Sequence, residues 1–135
     1  MRVYQERFGV LNGQTVTAYT LVNDHGMEVT SLDYGCIISR IIVPDQKGTK
    51  ENVILGFDTI EDYVNHSPYF GAVIGRVAGR ISGAEFELDN QVYQLDQNDG
   101  KNHLHGGKIG FDKVIWKTEV VEKADSVALV FTYLS

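Results

Sequence analysis

Apolar and polar residues alternate in short runs along much of the chain, and Gly, Asn and Asp punctuate the runs. A period of two marks half-buried strands rather than helices. Thr15 to Val22 alternates in this way and is closed by the turn formers Asn23-Asp24-His25-Gly26. Met27 to Asp33 and Ile37 to Val43 are the next strands that the pattern predicts, the second ended by Pro44 and Asp45. Phe86 to Leu88 and Val92 to Leu95 flank Asp89-Asn90, a pair that tolerates the positive φ of a tight hairpin. Val114 to Val121 and Val127 to Tyr133 complete the set. One short helix is predicted at Thr59 to Asn65, where Thr59 or Asp58 caps and Ile60, Tyr63 and Val64 share a face. The fold class is therefore mostly β.

Along the last strand Val127, Leu129, Phe131 and Tyr133 alternate with Ala128, Val130, Thr132 and Leu134, so both faces are expected to be buried. Ser135 follows without a turn residue. A docked terminal strand and a sheet cut short both fit that ending.

Composition narrows the class of ligand. The 135 residues are 43% hydrophobic, as in an ordinary globular domain. Acidic residues outnumber basic ones, 18 against 12, and no block of like charge occurs. Nucleic acid and anionic membranes want clustered Lys and Arg, so both are disfavoured as partners. A neutral small molecule fits better. Cys36 is the single cysteine and has no internal disulfide partner, which suits a reducing compartment. The start, MRVYQERFG, carries charges where a signal peptide needs its apolar segment, and no long apolar run follows. A soluble cytoplasmic protein is the expectation.

Two segments carry chemistry. In Tyr69-Phe-Gly-Ala-Val-Ile-Gly-Arg-Val-Ala-Gly-Arg-Ile81, three glycines interleave with Arg76 and Arg80. The glycines predict an irregular, closely packed path rather than a helix. An arginine fork suits sugar or carboxylate oxygens; equally, Arg76 and Arg80 pair with acidic residues such as Asp58, Glu61 or Asp62. In Asn98-Asp-Gly-Lys-Asn-His-Leu-His-Gly-Gly107, turn formers surround His103 and His105, whose spacing points them to one side of an extended chain. Such a pair can begin a metal site, but no Cys or Glu cluster supplies further ligands, so no metal is assigned. Substrate contact or proton transfer by a loop histidine, and a structural role bonded to backbone, all remain open. Gly107 to Gly110 lacks the Lys-Ser/Thr of a phosphate loop. Tyr34, Phe70, Phe111 and Trp116 are read as core aromatics.

Taken together, GRVAGRI (Gly75 to Ile81), FELDNQVYQL (Phe86 to Leu95), NHLHGG (Asn102 to Gly107) and GFDKVIW (Gly110 to Trp116) resemble the aldose 1-epimerase (galactose mutarotase) family in order and spacing. LDYGCIISRIIVPD (Leu32 to Asp45) and NVILGFD (Asn52 to Asp58) agree more loosely. The resemblance implies a large antiparallel β-sandwich of the galactose mutarotase type, with residues 1–135 as the N-terminal part of one domain that is truncated at its C-terminus. It implies an isomerase that needs no cofactor and no metal and interconverts the α and β anomers of aldohexoses by acid–base ring opening. Carried over by position, Arg80 matches the arginine that holds the sugar and His105 the histidine that contacts it. Gly79 stands beside that arginine where relatives often have Asn, which leaves only backbone contact there; Arg76 is assigned to structure. The family's general acid is a later histidine and its base a glutamate near the C-terminus, so no catalytic residue is assigned within these residues and the chain alone is expected to be inactive. A non-catalytic carbohydrate-binding relative and a hexose-6-phosphate 1-epimerase are the alternatives, and either a monomer or a homodimer is compatible with the sequence.

Overall fold

The structure is a computed structural model that describes residues 1–135. In chain order its elements are β1 (Arg2–Leu11), β2 (Gln14–Val22), β3 (Glu28–Leu32), β4 (Ile38–Pro44), β5 (Lys50–Asn52) and α1 (Ile60–His66). They continue with β6 (Arg80–Ile81), β7 (Glu85–Leu88), β8 (Gln91–Gln94), β9 (His103–Leu104), β10 (Lys117–Glu122) and β11 (Val127–Thr132). The chain forms two compact units, Met1–Ala72 with Ile115–Ser135, and Val73–Val114. The mostly-β expectation holds.

In the first unit β1 to β5 form an antiparallel meander in chain order. The hydrophobic pattern does not announce the short β5, nor does it announce β1. It is an edge strand with Arg2, Tyr4, Gln5, Glu6 and Arg7 all exposed, and a bulge between Arg7 and Gly9 breaks its register. A strand without a dry face leaves no period to read. Its turn does have a signature: Asn12 and Gly13 both sit at positive φ, 50° and 79°, as a two-residue hairpin needs.

The core of this unit joins Val16, Ala18, Leu32, Tyr34, Ile37, Ile60 and Tyr63. Val16 and Ala18 take the inward positions of β2, and Leu32 lies opposite Ala18 on β3. The helix α1 begins as the sequence predicts, with Thr59 Oγ1 accepting the Asp62 N–H at 3.2 Å. Ile60 and Tyr63 face inward, whereas Val64 is largely exposed and leaves the face assigned to it. Ile60 fits because Gly9 has no side chain; a Cβ there would stand 2.5 Å from Ile60 Cγ2. Tyr63 also accepts the Phe57 N–H on its hydroxyl at 3.1 Å, and the Phe57 ring meets the tyrosine edge-on.

β10 and β11 pair only with each other. Their approach to the unit is fixed by the Trp116 N–H, which donates to the Asp33 carbonyl at 2.8 Å, and by a bridge between Tyr34 and Ile115. The expectation that both faces of the last strand are buried is corrected. Val127, Leu129 and Phe131 are half-buried, Ala128, Val130 and Thr132 are exposed, and Leu134 is 95% exposed. Within this chain nothing packs on the second face.

In the second unit β7 and β8 form the hairpin that Asp89-Asn90 predicts, with φ of 51° and 60° at those residues. Phe86 and Tyr93 face each other in register and stack at 5.1 Å. No helix of the chain is long and apolar enough to cross a membrane.

Replacing Ile60 by Ala is expected to destabilise the first unit by about 2–5 kcal/mol, because it empties a fully enclosed site; urea unfolding followed by Trp116 fluorescence reads this. A second expectation concerns Asp33, which is buried and accepts the Thr17 N–H on Oδ1 at 2.9 Å. Burial outweighs that hydrogen bond and raises its pKa above the ordinary 3.8. Folded Asp33 thus holds its proton more tightly than unfolded, so its contribution is fully present below the ordinary value and is lost as pH rises through the raised one. Asp33→Asn keeps an oxygen for Thr17 and should flatten the decline of the urea midpoint with rising pH in that window. Parallel profiles for variant and parent would count against it.

Candidate sugar-binding site

The second unit holds the Asn98–Gly107 segment and, from Val73 onward, the Tyr69–Ile81 segment. β6 and β9 pair antiparallel, Arg80 opposite Leu104 and Ile81 opposite His103. Just before β6, Gly79 adopts φ of 79°, and just after β9, His105 adopts φ of 52°. The two residues bond reciprocally. His105 N–H donates to the Gly79 carbonyl at 3.0 Å, and Gly79 N–H donates to His105 Nδ1 at 3.1 Å. A backbone N–H can only donate, so Nδ1 must offer its lone pair, and the neutral ring carries its proton on Nε2. Both polar backbone groups of Gly79 are therefore directed at His105, and Gly79 serves to orient that ring.

His103 is held in the opposite sense. It is buried, and Nδ1 donates to the Asp96 carbonyl at 3.0 Å, since a carbonyl can only accept. Their i, i+2 spacing predicts both histidines on one side of an extended chain. The left-handed turn at His105 ends the extended geometry after Leu104, and the two rings bond to different backbone groups. No three His, Cys, Asp or Glu side chains come together as a metal cage would require.

Arg80 lies on the surface, 60% exposed, and its Nε donates to Asp99 Oδ2 at 2.6 Å. The acidic partner is thus Asp99, not Asp58, Glu61 or Asp62; Asp62 instead meets Thr59 and His66. The sequence does not single out Asp99, because it sits among turn formers, where an Asp is explained by local geometry alone. Its role depends on the β6–β9 pairing, which brings two distant segments together. Asn98 is inconspicuous for the same reason. Its amide accepts the Leu104 N–H and donates to the Leu104 carbonyl, both at 2.8 Å. Arg76 lies in the irregular run before Gly79, as the glycine spacing predicts, and outside any strand.

Glycines close the loop around His105. A Cβ on Gly106 would collide with the carbonyl of Gly75, and Gly106 also sits at φ of 91°. The same carbonyl accepts the Phe111 N–H at 3.1 Å. Gly107 N–H donates to the Leu104 carbonyl at 3.0 Å, which tightens the turn that follows the histidine. A Cβ on Gly107 would stand 2.7 Å from Asp96 Oδ2, the atom that accepts the Lys108 N–H. Nearby, Asp112 is buried and pairs through Oδ2 with Lys113 at 2.6 Å.

These contacts separate two glycines that the sequence treats alike. Gly106→Ala should cost at least about 1–3 kcal/mol, since it meets rigid backbone and a positive φ at once. Gly79→Asn should stay within about 1 kcal/mol of the parent. No atom lies within 4 Å of a Cβ at Gly79, and Asn tolerates positive φ. Thermal unfolding of the two variants reads the contrast, and equal losses would contradict it.

Comparison with known proteins gives one answer. The family model described as aldose 1-epimerase matches residues 17–135. The chain is 45% identical to the galactose mutarotase of Bos taurus over 111 residues, which cover 82% of this chain and 32% of that protein. It is 36% identical to the maltose epimerase of Levilactobacillus brevis, over 100% of this chain and 39% of that protein. The crystal structure of galactose 1-epimerase from Lactobacillus acidophilus NCFM superimposes with a TM-score of 0.76 at 32% identity, covering 91% of this chain and 35% of that one. The fold is thus that of the galactose epimerases, a β-sandwich, and this chain spans about a third of the length of the mutarotase it matches. With the family model matched over most of its residues, the chain belongs to the aldose 1-epimerase family.

Proposed function

We propose that this chain supplies the sugar-holding part of an aldose 1-epimerase, with an aldohexose such as galactose or glucose as substrate and Arg80 and His105 as binding groups. One observation supports this above the rest. Arg80 at the start of β6 and His105 just after β9 are held by neighbouring groups, the imidazole accepting the Gly79 N–H on Nδ1 and the guanidinium giving Nε–H to Asp99. Both are donors, and the hydroxyl and ring oxygens of a neutral sugar are acceptors. A phosphorylated hexose would call for a basic cluster, which a chain with 18 acidic and 12 basic residues does not offer here. The likeness to a maltose epimerase supports extending the substrate to reducing sugars whose terminal ring is an aldohexose. The single buried cysteine and the lack of a charge block support a cytoplasmic setting.

Interconverting anomers requires the hemiacetal to open, C1–C2 to rotate, and the ring to close on the other face. One group takes the C1 hydroxyl proton while another protonates the ring oxygen, and the two roles then reverse. In this reading Arg80 and His105 hold the ring and polarise its oxygens, and Gly79 acts through its backbone on His105. The later histidine and the glutamate that the family resemblance assigns to proton transfer have no counterpart among these residues.

Polarimetry of fresh α-galactose tests the division of labour. With catalytic amounts of this chain the rotation should relax at the buffer rate, while the Gly79 amide resonance shifts saturably with added galactose and ceases to do so in Arg80→Ala. Faster relaxation would place an acid–base pair within these residues. An unmoved Gly79 resonance would remove the sugar from this site.

A further inference from the structure

We propose that Asp99 is a positioning residue that aims Arg80 at the substrate, an inference that rests on reading Arg80 as the sugar-holding arginine. A guanidinium on a flexible, exposed arm binds poorly unless its plane is set beforehand. Asp99 sets it from the side. Oδ2 takes the Nε–H at 2.6 Å, and neither terminal nitrogen of Arg80 has a protein partner. An end-on, two-pronged pairing would consume the terminal donors that a ligand needs. Side-on contact through Nε fixes the plane and keeps them.

The carboxylate that does this is itself held. Asp99 and Asn102 exchange backbone hydrogen bonds at 3.1 and 3.0 Å across Gly100 and Lys101, and Gly100 takes φ of 59° in that tight turn. Asn98, the preceding residue, grips both backbone groups of Leu104, and Leu104 lies opposite Arg80 in the β6–β9 pair. Asn102 Oδ1 accepts the Gly83 N–H at 3.2 Å and ties the turn to the segment that follows β6. Carboxylate and guanidinium therefore ride on one hydrogen-bonded frame, and their spacing does not depend on either side chain finding the other by chance.

The test uses the full chain, uniformly labelled with nitrogen-15, and reads two signals: the Arg80 Nε–H resonance without sugar, and galactose affinity from amide shifts. In the parent the Nε–H resonance should stand apart from those of free arginine side chains. Asp99→Ala should return it to their position and weaken galactose binding roughly twofold to fivefold, the range an exposed ion pair commands. Asp99→Glu, which keeps a carboxylate on a longer arm, should recover part of both. The amide spectrum checks that each variant stays folded. If Asp99→Ala leaves affinity unchanged while Arg80→Ala abolishes binding, the positioning role is overturned and the sugar-holding reading survives. If Arg80→Ala leaves affinity unchanged, the sugar-holding reading falls, and the role of Asp99 with it.

Discussion

The second unit hangs on a close approach of backbone to backbone. Gly106 lies against the carbonyl of Gly75, in space where no side chain fits. That carbonyl also receives the Phe111 N–H, so one oxygen organises three stretches of chain. The left-handed φ of His105 ends the strand after Leu104, Gly106 continues the turn at positive φ, and His105 is bonded to Gly79 rather than continuing along the strand. The β6–β9 pair has only two residues in each strand, too few to hold a register by ladder hydrogen bonds alone. The Asn98 amide and the Gly79–His105 exchange supply the missing ties.

A comparable tie serves the first unit, built on a single residue. Asp33 donates its N–H to the Thr17 carbonyl, accepts the Thr17 N–H on its carboxylate, and accepts the Trp116 N–H on its own carbonyl. It thereby fastens β2, the end of β3 and the entry to β10. A carboxylate in that position is costly to bury, yet it completes hydrogen bonds that backbone groups would otherwise lack.

What the sequence discloses depends on how local the cause is. The Asp89-Asn90 hairpin and the Thr59 cap are written in two or three adjacent residues, and both stand where the pattern puts them. Strands with one dry face, such as the core part of β2, announce themselves by alternation. β1 is exposed along most of its length and shows no such rhythm, although Asn12-Gly13 marks its turn. Gly79, Arg80 and His105 stand out in the sequence through their motifs, and the structure sets Gly79 and His105 in direct contact. The pairing of Arg80 with Asp99 spans nineteen positions and was not legible, because it exists only once β6 and β9 are side by side. The same holds for the different tautomers of His103 and His105, each dictated by a backbone group from another segment.

That last difference bears on who can be the base. With Nδ1 of His105 committed to the Gly79 N–H and Nε2 carrying the ring's hydrogen, the neutral imidazole has no lone pair left to give. A ring in that state can share a hydrogen with an oxygen but cannot collect one from it. On the proposed reading, His105 meets the sugar as a hydrogen-bond donor, and the Brønsted base that opens the hemiacetal belongs to other residues.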